Sequence, residues 1–167
     1  MALDGRRALR ASILHDHALA LDPPAALATA REVIAESERL GLPGTALAGH
    51  IRAMRFAVDA GRADDAVFHA RACATIDTDV MPSDLYLAEQ WLHAWRAWQL
   101  AGHPDEALAA LARGASWVRR TLREQVPEPF CDSFVRANPV NQELLRGSAG
   151  AGLDGRTDAG ARRDDAK

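Results

Sequence analysis

AGHPDEALAALARGASW (residues 101–117) aligns without a gap against AGRADDAVFHARACATI (residues 60–76), and this self-similarity decides the fold. Both stretches open Ala-Gly-x-x-Asp, carry an acidic pair before the next alanine and run on through small and apolar residues. Ala66 and Ala107 thus occupy one slot, 41 positions apart. A weaker copy, LDPPAALATAREVIAESERLG (residues 21–41), puts Ala26 in that slot 40 positions before Ala66, without the glycine. A period of about forty marks a repeat built from pairs of helices.

Each copy is preceded by a second amphipathic segment, with Gly61 and Gly102 as the tight turns between members. From Ser83 to Gly102, the residues Leu85, Ala88, Trp91, Leu92, Trp95, Trp98 and Gln99 recur at helical steps, all but the last apolar. Ser83 is expected to cap this helix, with Asp84 in its first turn. The partner helix is predicted over Pro104–Gln125: Pro104, Asp105 and Glu106 suit its start, while Arg113, Arg119, Arg120 and Arg123 gather toward its end. Further helices are predicted over 6–21, 24–40, 45–60 and 63–76, with one or two brief ones bounded by Pro127, Pro129 and Pro139. From Gly147 onward GSAGAGLDGRTDAGARRDDAK has almost nothing to bury and predicts a disordered tail. The expected organisation is a helical-repeat domain over 1–146, with a closing segment at 126–146 and a tail at 147–167. The fold class is all-α: antiparallel helix pairs stacked as a short right-handed solenoid.

Composition agrees with this. Of 167 residues, 48% are hydrophobic but only 5% aromatic, and 35 are alanine, so the apolar content is small and helix-forming. A net charge of −3 offers no general attraction to nucleic acid or to an anionic membrane surface. Lys167 is the single lysine, which leaves no residue for a P-loop or a Schiff base. Cys73 and Cys131 stand 58 positions apart without metal-binding or redox spacing. Neither a secretory leader nor a bilayer-length apolar run is visible, which predicts a cytoplasmic protein.

The repeat resembles the tetratricopeptide repeat, with Trp91, Trp98, Gly102, Ala107 and Ala115 at or next to its slots in one copy and Gly61, Ala66 and Ala70 in the other. It departs from that family in its longer period, and in Met54 and Trp95 where a small residue is expected. VPEPFCDSFVRANPVNQELL (residues 126–145) is similar to the closing segment after such repeats in large bacterial signalling ATPases and transcriptional regulators, and Asn138, Pro139, Val140 and Asn141 carry that likeness. The resemblance implies a sensor or interaction module that contains neither the ATPase nor the DNA-binding part of such a regulator.

No catalytic constellation, metal site or cofactor is expected. His15 and His17 sit two apart and diverge on a helix. His50, His69, His93 and His103 lack a helical-face partner and read as mostly surface groups. Cys73 and Cys131 read as inert, and Asp64-Asp65 and Asp105-Glu106 as helix-start residues. If tetratricopeptide geometry holds, the first helices line a groove that presents Arg52, Arg55, Asp59, Glu89, His93, Arg96 and Gln99 to a protein or peptide, the arginines meeting its carboxylates. Homodimerisation through helix 6–21 is a further expectation. The alternative is a small-molecule sensor, or an enzyme of unfamiliar type, with a pocket lined by Trp91, Trp95, His93 and Cys73. A DNA-binding helix-turn-helix is disfavoured because no basic recognition helix exists.

Overall fold

The computed structural model describes residues 22–76 and 80–153. The expected helix 6–21, its His15–His17 cluster and its dimer contact lie outside these residues. Among the described residues seven α-helices and one 3-10 turn follow in order: α1 (Pro23–Arg39), α2 (Pro43–Asp59), α3 (Ala63–Thr75), α4 (Glu89–Leu100), α5 (Pro104–Glu124), the 3-10 turn Glu128–Phe130, α6 (Cys131–Arg136) and α7 (Pro139–Gly150). No strand occurs among the described residues, so the all-α class holds.

One turn is used three times. Gly41, Gly61 and Gly102 take left-handed φ values of 65°, 68° and 74°, a region that L side chains enter at a cost. The next residue then donates its amide to a carbonyl five residues back: Leu42 to Ser37 at 2.9 Å, Arg62 to Ala57 at 2.8 Å and His103 to Trp98 at 2.9 Å. That closes the helix end, and the following helix starts at once with Pro43, Ala63 or Pro104 in its first position. Ala46, Ala66 and Ala107 each donate to the carbonyl of the cap residue at 3.0 Å, and all three are buried. Ala26 does the same at 2.9 Å to Asp22. The alanine slot therefore marks the first full turn of α1, α2, α3 and α5, where two helices diverging from a tight turn lie closest. Its true step from Ala26 to Ala46 to Ala66 is 20 residues, and the forty-residue period is two such steps.

The interval from Ala66 to Ala107, 41 residues, spans two such steps and one residue more, although residues 80–88 form no helix. Here the structure corrects the expectation that Ser83 caps a helix. The Ser83 amide donates to the Gly44 carbonyl at 3.0 Å, its hydroxyl lies 3.4 Å from that of Thr45, and Asp84 has φ 54°. The segment is strapped across the start of α2, with the Met81 carbonyl oxygen 2.6 Å from where a Cβ on Gly44 would stand. Leu85 and Ala88 still enter the core, so their apolar spacing continues that of α4 although the segment is not helical.

α1 packs on α2, α2 on α3, and α4 against α2, α3 and α5, while α7 closes against α5 and α4. Neither α1 and α3 nor α3 and α5 pack together. One apolar cluster, including Leu27, Leu47, Ile51, Met54 and Phe56, lies among α1 to α4 and reaches α5 at Ala110. A second, with Leu92, Leu111, Val118 and Leu144, joins α4, α5 and α7. Close approach in the second depends on Gly114, whose added Cβ would stand 2.8 Å from both Leu144 Cδ2 and Trp91 Cβ.

The Asn138–Asn141 motif has a structural reading. Asn138 caps α7, its Oδ1 accepting from the amides of Val140 at 3.0 Å and Asn141 at 3.3 Å. Asn141 is fully buried; its Oδ1 accepts from the Tyr86 hydroxyl and its Nδ2 donates to the Phe134 carbonyl, both at 2.9 Å. One amide thereby ties α7 to α6 and to the strap before α4. The helix also runs to Gly150 with Ser148 buried, so the boundary placed at Gly147 by composition falls inside an ordered helix, and residues 154–167 of the expected tail lie outside the described residues. Small residues are needed there because an added Cβ on Gly147 would stand 3.0 Å from Trp95 Cη2.

Asn141→Ala strands the Tyr86 hydroxyl and the Phe134 carbonyl and is expected to cost about 2–3 kcal/mol, against about 1 kcal/mol for Asn138→Ala. Gly114→Val is expected to cost about 2 kcal/mol or more through overpacking. Urea denaturation at unchanged m-value checks all three, and a midpoint for Asn141→Ala equal to that of the parent protein would refute the tie.

Candidate functional site

The residues expected to face a partner divide into three groups. Arg52 is 6% exposed and His93 5% exposed, so neither is presented to solvent. The Arg52 guanidinium, whose pKa burial lowers, is offset by the nearby carboxylates of Asp84 and Glu89. Glu89 lies 3.9 Å from His93 one turn along α4. Burial opposes ionisation of Glu89, but hydrogen bonding and charge from His93, the Tyr86 amide and Arg55 outweigh it and hold the carboxyl below its ordinary range. Arg96 is engaged otherwise: its Nη2 donates to both Glu143 oxygens at 2.7 and 2.6 Å, joining α4 to α7. Arg55 and Asp59 form a loose pair at 3.9 Å on the outer turn of α2, and Gln99 is exposed on α4. The face spanning α2, α4 and α7 therefore carries a band of polar residues that largely neutralise one another. The Arg96 fork is taken by Glu143, and Arg52, although its Nη1 lacks a hydrogen-bond partner, is buried away from a partner's carboxylate at the surface.

Three histidines expected at the surface are buried: His50, His69 and His93. His50 on α2 and His69 on α3 face each other with their Nδ1 atoms 3.0 Å apart. At that separation one ring nitrogen donates and the other accepts, so at least one ring, the acceptor, is neutral when the bond is made. Desolvation brings the pKa of His69 down to about 4, with the charges of His50 and Arg31 pushing the same way and Asp65 opposing. His50 is lowered as well, burial outweighing Glu38, whose Oε1 stands 3.7 Å from its Nε2. The pair escaped the sequence reading because its partners lie on different helices, 19 residues apart. No group of three or more His, Cys, Asp or Glu with metal-holding geometry occurs among the described residues.

A cavity of about 580 Å³ opens where α3 and α5 fail to meet. Cys73 and Ala74 of α3 form one wall, Gln90 and Trp91 of α4 the floor, and Arg113, Ser116, Trp117 and Arg120 of α5 the other wall. Trp91 and Trp117 touch at 5.6 Å between ring centroids, and Tyr86 meets Trp117 edge-on at 5.5 Å. A smaller space of about 160 Å³ continues along the trough past Trp98, over which Arg71 stacks at 5.5 Å. Of the pocket residues expected from sequence, Trp91 and Cys73 are here, whereas Trp95 and His93 are not among its lining. Burial pushes the Cys73 thiol up to about 12, so it stays protonated and unreactive. The α5 wall was legible as a stripe at positions i, i+3, i+4 and i+7, but its arginines were read as a helix-end cluster; only Arg123 is in the last turn.

Compared with known proteins, the chain matches no family model, no curated protein and no solved structure. No helix among the described residues is long and apolar enough to cross a membrane.

Because folding lowers the histidine pKa values, the unfolded chain binds more protons than the folded one between about pH 4 and 6.5. Stability therefore falls as pH drops through that window, by about 2–3 kcal/mol for His69, and the loss is complete below pH 4. Denaturation at pH 7.5, 6, 5 and 4 is expected to show this slope, and the His50→Gln, His69→Gln double variant is expected to flatten it. An unchanged slope in that variant would place the pH dependence elsewhere.

Proposed function

We propose that this chain is a non-catalytic helical-repeat interaction module in a tetratricopeptide-like arrangement, with successive helices antiparallel across their glycine turns and stacked as a short solenoid. It binds a protein or peptide, as the sensor or interaction part of a bacterial signalling or regulatory ATPase. The packing order supports the arrangement. α2, α4 and α7 follow one another as inner helices, each touching the next, while α1 and α3 pack only on inner neighbours and α5 packs on α4, α7 and the short α6. Two of those pairs carry the same glycine turn and the same buried alanine. The observation that carries the partner reading is the polar band across the inner helices, from Arg55 and Asp59 through Glu89 to Arg96 and Glu143.

The chemistry of that band amends the partner. With Arg52 buried and Arg96 held by Glu143, the band suits a peptide of mixed charge rather than a uniformly acidic one. Arg55, Asp59 and Gln99 are the positions at which a partner is felt without disturbing the core. Asn138, Pro139, Val140 and Asn141, which carry the likeness to the regulators, keep their part as the closure of the stack.

The test is capture of partner proteins by the wild-type chain beside an Arg55→Ala, Asp59→Ala, Gln99→Ala variant of equal helicity and melting temperature. A protein held by the wild type and lost by the variant is the expected result. Identical capture by both, or none by either, overturns the assignment of this face.

A further inference from the structure

At Glu89 the polar band meets a hollow of different chemistry. The hollow, about 600 Å³ and open to solvent, lies between the start of α4 and the closing segment, and the rings of Tyr86, Phe130 and Phe134 line it together with Val126, Pro139 and Val140. Two of the three aromatic residues are held by one side chain: Asn141 accepts from the Tyr86 hydroxyl and donates to the Phe134 carbonyl, both at 2.9 Å. Phe130, on the 3-10 turn, is 61% exposed, a large apolar side chain left in water beside an apolar hollow. Glu89 is the one charged group among the described lining residues, and its amide donates to the Tyr86 carbonyl at 2.9 Å, which fixes it next to that ring in the chain. Its carboxylate, held ionised, belongs to a cluster in which Asp59, Asp84 and Glu89 stand against the guanidinium groups of Arg52 and Arg55, with the buried His93 imidazole 3.9 Å away. Carboxylates outnumber guanidinium groups there, and Arg52 is buried while the Glu89 side chain is 21% exposed.

We propose that this hollow receives a lysine or arginine side chain of the partner peptide, its cationic head at Glu89 and its alkyl stem across Tyr86, Phe130 and Phe134. The inference rests on the reading of the α2–α4–α7 face as a peptide-binding surface, and names a residue the peptide must bring. A long basic side chain joins an apolar stem to a charged head, which matches an apolar hollow with one carboxylate in its wall. Aromatic rings attract a cation to their faces, more strongly once water is displaced. An acidic side chain would meet Glu89 as a like charge, and a purely aliphatic one would bury that carboxylate and leave its charge without a new partner. The surplus of carboxylates around Glu89 selects against both and favours an added cation.

The experiment selects short peptides from a random displayed library on the full chain, then titrates the leading peptide beside a copy carrying norleucine for lysine or citrulline for arginine, following heat of binding. The selected peptides are expected to share a basic position, and the neutral copy to bind at least about tenfold more weakly. In Glu89→Gln that difference is expected to vanish. Ala137→Trp, which sets an indole into the hollow from an exposed position at the end of α6, is expected to weaken the leading peptide by about tenfold or more at unchanged helicity. Equal binding of the neutral copy, or unchanged affinity in Ala137→Trp, overturns the inference. The Arg55→Ala, Asp59→Ala, Gln99→Ala variant separates it from the reading it rests on. Peptides that depend on those three residues but share no basic position remove the hollow and leave the face. A basic peptide weakened by Ala137→Trp but indifferent to the triple variant keeps the hollow and removes the band. Enrichment of no peptide at all overturns both.

Discussion

The left-handed glycine at the end of α1, α2 and α4 is the constraint on which the rest depends. It lets a helix close its last carbonyls within two residues and hand the chain to the next helix with no intervening loop. Two helices joined so tightly have no freedom to separate near the turn, so the residue one turn into the second helix must be small. Ala46, Ala66 and Ala107 meet that demand. An alanine-rich chain with few aromatics is thus a consequence of close-packed helix starts. The same need for small residues recurs at Gly49, where an added Cβ would stand 2.7 Å from Ile34, and at Gly114 in the second cluster.

Features set by local chemistry were legible in the sequence. The ends of α1, α2, α3 and α5 fall within a residue or two of their expected places, because proline starts and glycine ends act over a few residues. The strap at 80–88 was not, since Leu85 and Ala88 keep helical spacing while Asp84 takes a left-handed φ that spacing does not reveal. Nor was the extent of α7: glycine and serine at 147–148 look like tail composition, yet Trp95 and Leu111 require small neighbours there. The glycine and serine were a packing signal, and only the tertiary neighbours make it one.

The candidate site was less legible than the fold, for an electrostatic reason. A helical face rich in arginine and glutamate looks available when the helix is considered alone. In the assembled protein, charges on α2, α4 and α7 meet one another first. Arg96 and Glu143 are 47 residues apart and form a two-point pair, and Arg52 is drawn inside toward Asp84 and Glu89. Such pairs orient neighbouring helices more than they add stability, because desolvation offsets much of their attraction. The histidine pair follows the same logic: two polar rings at a helix crossing satisfy each other only while at least one remains neutral to accept.

What is left unsatisfied is then more informative than what is charged. Because α1 and α3, and α3 and α5, make no close backbone approach, the space between them is bridged by side chains alone. Between α3 and α5 those side chains are a small residue on one wall, Ala74, and long ones on the other, Arg113 and Arg120. Filling that gap would have required bulky aliphatic residues at positions where the chain has alanine, serine and arginine. The gap therefore persists, with Trp91 on its floor in tilted contact with Trp117 on its wall. Arg113 and Arg120 stand on its α5 wall, with no Asp or Glu among the described residues that line the larger space.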